Sequence, residues 1–158
     1  MINFLEQLVA EWYEFQGYFV RRNVRVGLRP GRGYTSELDV VAFNPVKKHL
    51  VQVEPSMGAQ SWDKREKQFA KKFRAGRKYI PDLFVGLKVP HRIEQIALIG
   101  FGGAPRHRST VGGGRLILIH DLMNDIRNEL KRRPIERAAV PEQYVILRSL
   151  QYAAQYWA

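Results

Sequence analysis

The chain has 158 residues, the usual size of a single domain that can bury a core without staples. It contains no cysteine, which excludes disulfide frameworks, thiolate zinc sites and cysteine nucleophiles. Twenty-six Lys and Arg stand against fifteen Asp and Glu, a formal net charge of +11 spread along most of the chain. That balance points first to a polyanionic partner such as nucleic acid, with an anionic lipid surface or a merely basic soluble protein as the alternatives.

The first fifteen residues carry Glu6, Glu11 and Glu14 where a signal peptide needs basic residues followed by an uninterrupted apolar run. No apolar run reaches membrane-spanning length, so a cytoplasmic protein with no membrane association is expected. Apolar residues at Phe4, Leu5, Leu8, Val9, Trp12 and Phe15 fall at helical spacing, predicting a helix from Ile2 to Gln16 that Gly17 stops. "GYFVRRNVRVG" reads as a strand and "LRPGRGYTS" as a basic turn-rich loop. Strands are predicted from Glu37 to Phe43 and from His49 to Glu54, joined by a turn marked by Asn44 and Pro45.

Trp62, Phe69 and Phe73 then form a narrow apolar stripe, with Lys64, Arg65, Lys67, Lys71, Lys72 and Arg74 covering the rest of one basic helix that starts near Ser61. "IPDLFVGLKVP" reads as an extended or loop segment between Pro81 and Pro90. "IEQIALIGF" and "RLILIHDL" are buried-strand candidates separated by the Gly-rich basic loop "GGAPRHRSTVGGG". "DLMNDIRNELKRR" is helical, and a last helix runs from about Pro141 to Trp157. The order is α, β, β, β, α, β, β, α, α, with no internal repeat and no dividing linker, which makes residues 1–158 one mixed α/β domain.

Two acids break the apolar patterning of the second and third strands. A turn centred between Val46 and Lys47 pairs residues whose numbers sum to 93, so Asp39 faces Glu54 across an antiparallel pair, with Cβ atoms about 4.5–5.5 Å apart. On this register Asp39, Val41, Phe43, Leu50, Gln52 and Glu54 share one face, and Leu38, Val40, Ala42, Val51 and Val53 share the other. Both faces are apolar except at the end holding the acids. Facing carboxylates there call for a positive charge, either a hard divalent cation or an Arg or Lys from a neighbouring helix.

These residues resemble the PD-(D/E)XK nuclease superfamily, with its restriction-endonuclease-like fold, and particularly the Holliday-junction-resolvase-like and Mrr-like branches. The matching pieces are Glu6 in "FLEQLVAEWYEFQGYFV", Asp39 in "SELDVVAF", Glu54 in "HLVQVEPS" and the basic helix "SWDKREKQFAKKF". The resemblance implies an αβββαβ core with a mixed central sheet flanked by helices, here extended by extra C-terminal helices. It also implies hydrolysis of DNA phosphodiester bonds with Mg²⁺ or Mn²⁺ held by Asp39 and Glu54 and assisted by Glu6.

The superfamily's motif lysine is replaced by Ser56, so Lys64, and next Lys67, are the candidates for a migrated lysine; without one, the chain reads as an inactive DNA-binding module. Pro55 cannot donate to a ladder, which predicts that the third strand stops pairing there with Glu54 held extended. Duplex or branched DNA would be held by Arg29, Arg32 and Tyr34 in the first loop, by Lys67, Lys71 and Arg74 on the basic helix, and by Arg106 and Arg108 in the Gly-rich loop. A homodimer would supply the two cuts that duplex cleavage needs. A third reading is an interaction subunit docking through the aromatic C-terminal helix, with Tyr144, Tyr152, Tyr156 and Trp157.

Overall fold

The structure, a computed structural model, describes residues 3–157, so the predicted helix start at Ile2 lies outside the described residues. The first helix, α1 (Phe4–Phe15), is capped by the Asn3 side chain, which accepts from the Leu5 N–H. Strands β1 (Phe19–Leu28), β2 (Tyr34–Asn44) and β3 (His49–Ser56) follow, then α2 (Trp62–Tyr79), which is capped by Ser61. A short 3₁₀ turn at Ile80–Asp82 leads to β4 (Ile93–Ile99), β5 (Thr110–Val111), β6 (Gly114–Leu118), α3 (Ile119–Lys131), α4 (Ile135–Ala138) and α5 (Val145–Tyr156). The two-residue β5 inside the Gly-rich loop and the single turn of α4 are too short to leave a periodic signal in sequence.

The strands form one six-stranded sheet in the order β1-β2-β3-β4-β6-β5. β1, β2 and β3 are antiparallel neighbours, whereas β3, β4 and β6 run parallel, the sheet being crossed over by α2 between β3 and β4. On one face α1, α3 and α5 pack Leu5, Leu8, Val9, Leu122, Ile126, Leu130 and Leu147 against Val40, Ala42, Val51, Val53, Ile96 and Leu98. On the other, Phe69 and Phe73 of α2 cover Ala97, Ile99 and Val111, and Ile80 and Phe84 cover Val41, Phe43 and Leu50. The molecule is thus an α/β domain with a mixed sheet between helices, as the sequence predicted.

The β2–β3 register is the predicted one: Val40 pairs with Val53, Val41 with Gln52 and Phe43 with Leu50. The turn works because the Asn44 side chain accepts from the Val46 and Lys47 N–H groups at 3.0 and 2.9 Å. Two details depart from expectation. Leu38 packs with Val24, Val26 and Phe84 on the α2 side, because Asn23, at φ 50°, breaks the pleat of β1 between Arg22 and Val24. And β3 does not stop at Pro55 but pairs with β4 through Pro55↔Leu98 and Ser56↔Ile99. The Ser56 carbonyl accepts from Gly100, so Ser56 turns its backbone groups towards β4, and Pro55, by alternation, turns its missing donor towards β2, where pairing has ended.

Buried acids and amides also fix the helices. Glu11, which is fully buried, accepts from the Ile146 and Leu147 N–H groups at 2.9 and 3.0 Å, so α1 supplies the N-terminal cap of α5 from 135 residues away.

Candidate active site

Carried one step beyond Val40↔Val53, the register sets Asp39 opposite Glu54 where the β2–β3 pairing ends. The Asp39 N–H points at both Glu54 carboxylate oxygens at 3.4 Å, so the side chain of Glu54 takes the place of a ladder partner. Glu54 is 1% exposed, and its carboxyl cannot be left without neutralisation there. The positive charge comes from α2. Lys72 Nζ lies 2.5 Å from Asp39 Oδ1 and 2.7 Å from Glu54 Oε2, bridging both acids.

Lys72 sits where helical geometry allows it to reach the sheet. Phe69, Phe73 and Gly76 are the buried residues of this part of α2, and Lys72 falls on the same stripe, three residues after Phe69 and four before Gly76. Beneath it runs a buried polar network. Gln52 donates to Glu54 Oε1 at 2.8 Å and to the Lys72 carbonyl at 3.2 Å. Gln95 donates to Gln52 Oε1 at 2.7 Å and to the Phe73 carbonyl at 2.8 Å, and Arg77 donates to Gln95 Oε1 at 2.7 Å. The close approach of helix to sheet needs Gly76, since a Cβ there would stand 1.8 Å from Gln52 Oε1. Gln52 thereby holds one Glu54 oxygen and Lys72 the other.

Burial, followed by the nearby Asp39 charge, pushes the Glu54 carboxyl up to about 8 against the pull of Lys72. For Lys72 burial works to lower the pKa, but the Glu54 and Asp39 charges outweigh it and raise the value above that of an ordinary lysine. Near pH 7 the Glu54 carboxyl therefore favours its protonated form, while Lys72 stays an ammonium. Glu6, half-buried near the start of α1, joins the same electrostatic neighbourhood: burial first and then Asp39 raise its pKa, and its Oε2 is buried with no hydrogen-bond partner among the described residues.

The other sequence candidates lie around this cluster. Lys64, Lys67, Lys71 and Arg74 are exposed on α2, and Lys64 lies eight residues, about 12 Å along the helix, from Lys72. Ser56 is half-buried and engages β4 through its backbone. Arg29, Arg32 and Tyr34 are exposed at the end of the β1–β2 hairpin, where the Arg29 N–H donates to the Gly33 carbonyl. Arg108 stacks over Trp62 at 4.8 Å and bonds Glu66 at 3.4 Å; Arg65 covers Trp62 at 4.7 Å, which ties the Gly-rich loop to α2. Arg106 is exposed in the same loop. Sequence reasoning missed Lys72 as a site residue, although its place on the apolar stripe was a readable signal. It also missed Gln52 and Gln95 as the amides beneath Glu54.

The donor chemistry suits a hard cation, although the geometry does not gather three ligands: among the described residues no group of three or more His, Asp or Glu side chains stands close enough to hold a metal ion. Asp39 and Glu54 offer carboxylate oxygens, and the partnerless Glu6 Oε2 is a third oxygen in the same neighbourhood. No helix of the described residues is long and apolar enough to cross a membrane. In comparisons with known proteins, no family model, no curated protein and no solved structure matches this chain significantly.

Proposed function

We propose that the protein is a divalent-metal-dependent DNA endonuclease of the PD-(D/E)XK type, with a restriction-endonuclease-like core and its lysine moved from β3 to α2. The observation that carries this reading is the Asp39–Glu54–Lys72 cluster: two facing strand acids where the β2–β3 pairing ends, bridged by one ammonium within 2.7 Å of each. The chain's net charge of +11 supports a polyanionic substrate.

Asp39 and Glu54 would hold Mg²⁺ or Mn²⁺, which when bound supplies charge for the leaving oxygen and a water of lowered pKa. Lys72 carries the part that no strand residue can: its ammonium is fixed beside both acids and faces the negative charge that grows on a phosphate as the phosphodiester bond breaks. Gln52 holds one oxygen of Glu54 and so sets the direction of the other. The exposed Arg29 and Arg32 on the hairpin, and Lys67, Lys71 and Arg74 on α2, supply phosphate contacts that orient a strand without reading its sequence.

A second reading is favoured by the same bridge. Lys72 already neutralises the acids, and a fold satisfied in this way can serve as a DNA-binding module without catalysis. Incubation of the purified protein with plasmid, linear and branched DNA and Mn²⁺ separates the two. Metal-dependent cleavage lost in Asp39→Asn and Glu54→Gln is the expected result. Salt-dependent binding with no cleavage, or cleavage unchanged in Asp39→Ala, refutes the nuclease.

A further inference from the structure

The opposite end of the sheet carries a second polar cluster that the carboxylate site does not use. β3 and β4 are parallel and begin side by side, Leu50 pairing with Ile93 and Val51 with Glu94, so His49 and Glu94 meet at their N-terminal ends. His49 Nε2 lies 2.6 Å from Glu94 Oε2, and Tyr18 Oη lies 2.6 Å from His49 Nδ1. The other Glu94 oxygen takes Arg115 at 2.7 Å. His49, Glu94 and Arg115 border a cleft of about 570 Å³ whose walls also include Lys48, Arg92 and Gly113.

We propose that this cleft binds a terminal phosphate monoester, carried either by a free nucleotide or by the end of a nucleic acid strand. The charges argue for it. Glu94 is spent on both oxygens, by His49 and by Arg115, so it leaves little charge to repel an anion. Lys48 and Arg92 have no ion-pair partner among the described residues and stand as uncompensated cations on the cleft wall. Two free positive charges match a terminal phosphate, which carries nearly two negative charges at neutral pH, better than a chain-interior phosphodiester, which carries one. Arginines in particular offer the forked donors that phosphate oxygens accept.

The backbone adds a second argument. Lys48 is at φ 50°, the left-handed region, at the end of the β2–β3 turn. Glycine or asparagine occupies such a position at least cost, and here it holds a lysine whose side chain lines the cleft. Gly113 on the facing turn has nothing within 4 Å of where a Cβ would stand, which keeps the opposite wall open.

This cleft is independent of whether the carboxylate end cleaves DNA, because a chelator removes any divalent cation while its own cations remain. The test is calorimetric titration in chelator with adenosine 5′-monophosphate against adenosine, and with a 5′-phosphorylated oligonucleotide against its 5′-hydroxyl counterpart. Adenosine 5′-monophosphate is expected to bind and adenosine not, and the 5′-phosphorylated oligonucleotide is expected to bind more tightly than its 5′-hydroxyl counterpart, which still meets the phosphate contacts of the hairpin and α2; a gain on phosphorylation in the oligonucleotide pair assigns the strand end, and a gain confined to the mononucleotide pair assigns the free nucleotide. Arg92→Gln and Lys48→Gly should each weaken that binding about tenfold. Lys48→Gly should do so while the melting temperature holds or rises, because glycine relieves the left-handed strain, which separates loss of binding from loss of fold. Equal binding within each pair, or affinity unchanged in both variants, overturns the proposal.

Discussion

Replacing Lys72 by methionine removes the ammonium and keeps most of the side-chain volume, so it isolates the charge. A buried ion pair that loses one partner commonly costs about 3–5 kcal/mol, because a bare charge is left behind. Here the loss should be smaller. Bringing a carboxyl of ordinary pKa 4.5 to its neutral form at pH 7 takes about 3 kcal/mol, and Glu54, held at about 8, already bears most of that cost in the wild type. What the variant forfeits is mainly the contact with Asp39, which is 14% exposed, together with one charge-assisted hydrogen bond to Glu54. That is about 2 kcal/mol, or about 4–8 °C in melting temperature for a chain of this size. Catalysis should fall much further, by about 10²–10³ in kcat, if Lys72 faces the developing charge. Thermal melts at pH 7 and single-turnover cleavage with Mn²⁺ measure the two effects. Cleavage within a few-fold of wild type refutes the catalytic role of Lys72, and a melting temperature lowered by more than about 15 °C refutes the argument that Glu54 limits the cost by keeping its proton.

Glu54 also sets opposing pH trends: its folded pKa is raised from 4.5 to about 8, so the native state holds a proton that the unfolded chain releases, and stability should fall as pH rises through that window, as urea titrations across pH will measure. Over the same window Mn²⁺ affinity should rise, since a cation needs the deprotonated carboxylate, and calorimetry showing affinity flat with pH would contradict the assignment of Glu54 as ligand. Gln52→Leu should cost about 2–4 kcal/mol by stranding Gln95 and Glu54 Oε1, and should lower kcat while leaving KM for DNA nearly unchanged; a change in KM alone would place Gln52 outside the chemistry. Glu11→Ala should cost about 1–3 kcal/mol by uncapping α5 while cleavage by the folded protein is preserved, as melts and activity assays together will show.

The β2–β3 pair was legible because two independent rules agreed: the Asn44–Pro45 turn fixed the register, and apolar residues on both faces announced a buried strand pair. Asp39 and Glu54 stood out against that background. Lys72 was harder to see because α2 is basic all round, and eight Lys or Arg over 18 residues hide one that faces inward. Its signal was positional: it interrupts the Phe69–Phe73–Gly76 stripe as the acids interrupt their strands. Lys64 lacks that feature and lies on the solvent side. The buried role of Glu11 was not legible at all, since its partners, Ile146 and Leu147, are determined by packing of elements 135 residues apart. Leu38 changed sides for a similar reason, because a left-handed Asn23 on the neighbouring strand is invisible to alternation read along β2 alone.

The Pro55–Ser56 pair explains why a charge from α2 is needed. A lysine at position 56 would lie two residues beyond Glu54 on the same strand face, but the serine there offers no cation, and Pro55 turns its missing donor towards β2 just where the pairing of β2 with β3 ends. The end of β3 is therefore pinned to β4 on one side only, while Asp39 keeps its N–H on the carboxylate of Glu54. A counter-charge delivered from the sheet would hang on that one-sided strand end. Delivered from α2 it rests on Phe69 and Phe73, both buried against β4 to β6, and on a Gly76 that lets the helix settle onto Gln52. The helix is the stiffer support, and the amide network that fixes Glu54 also grips the backbone of the residue carrying the ammonium, through the bond from Gln52 to the Lys72 carbonyl. Acid and base are thus positioned by the same buried amide, and displacing Gln52 should disturb both at once.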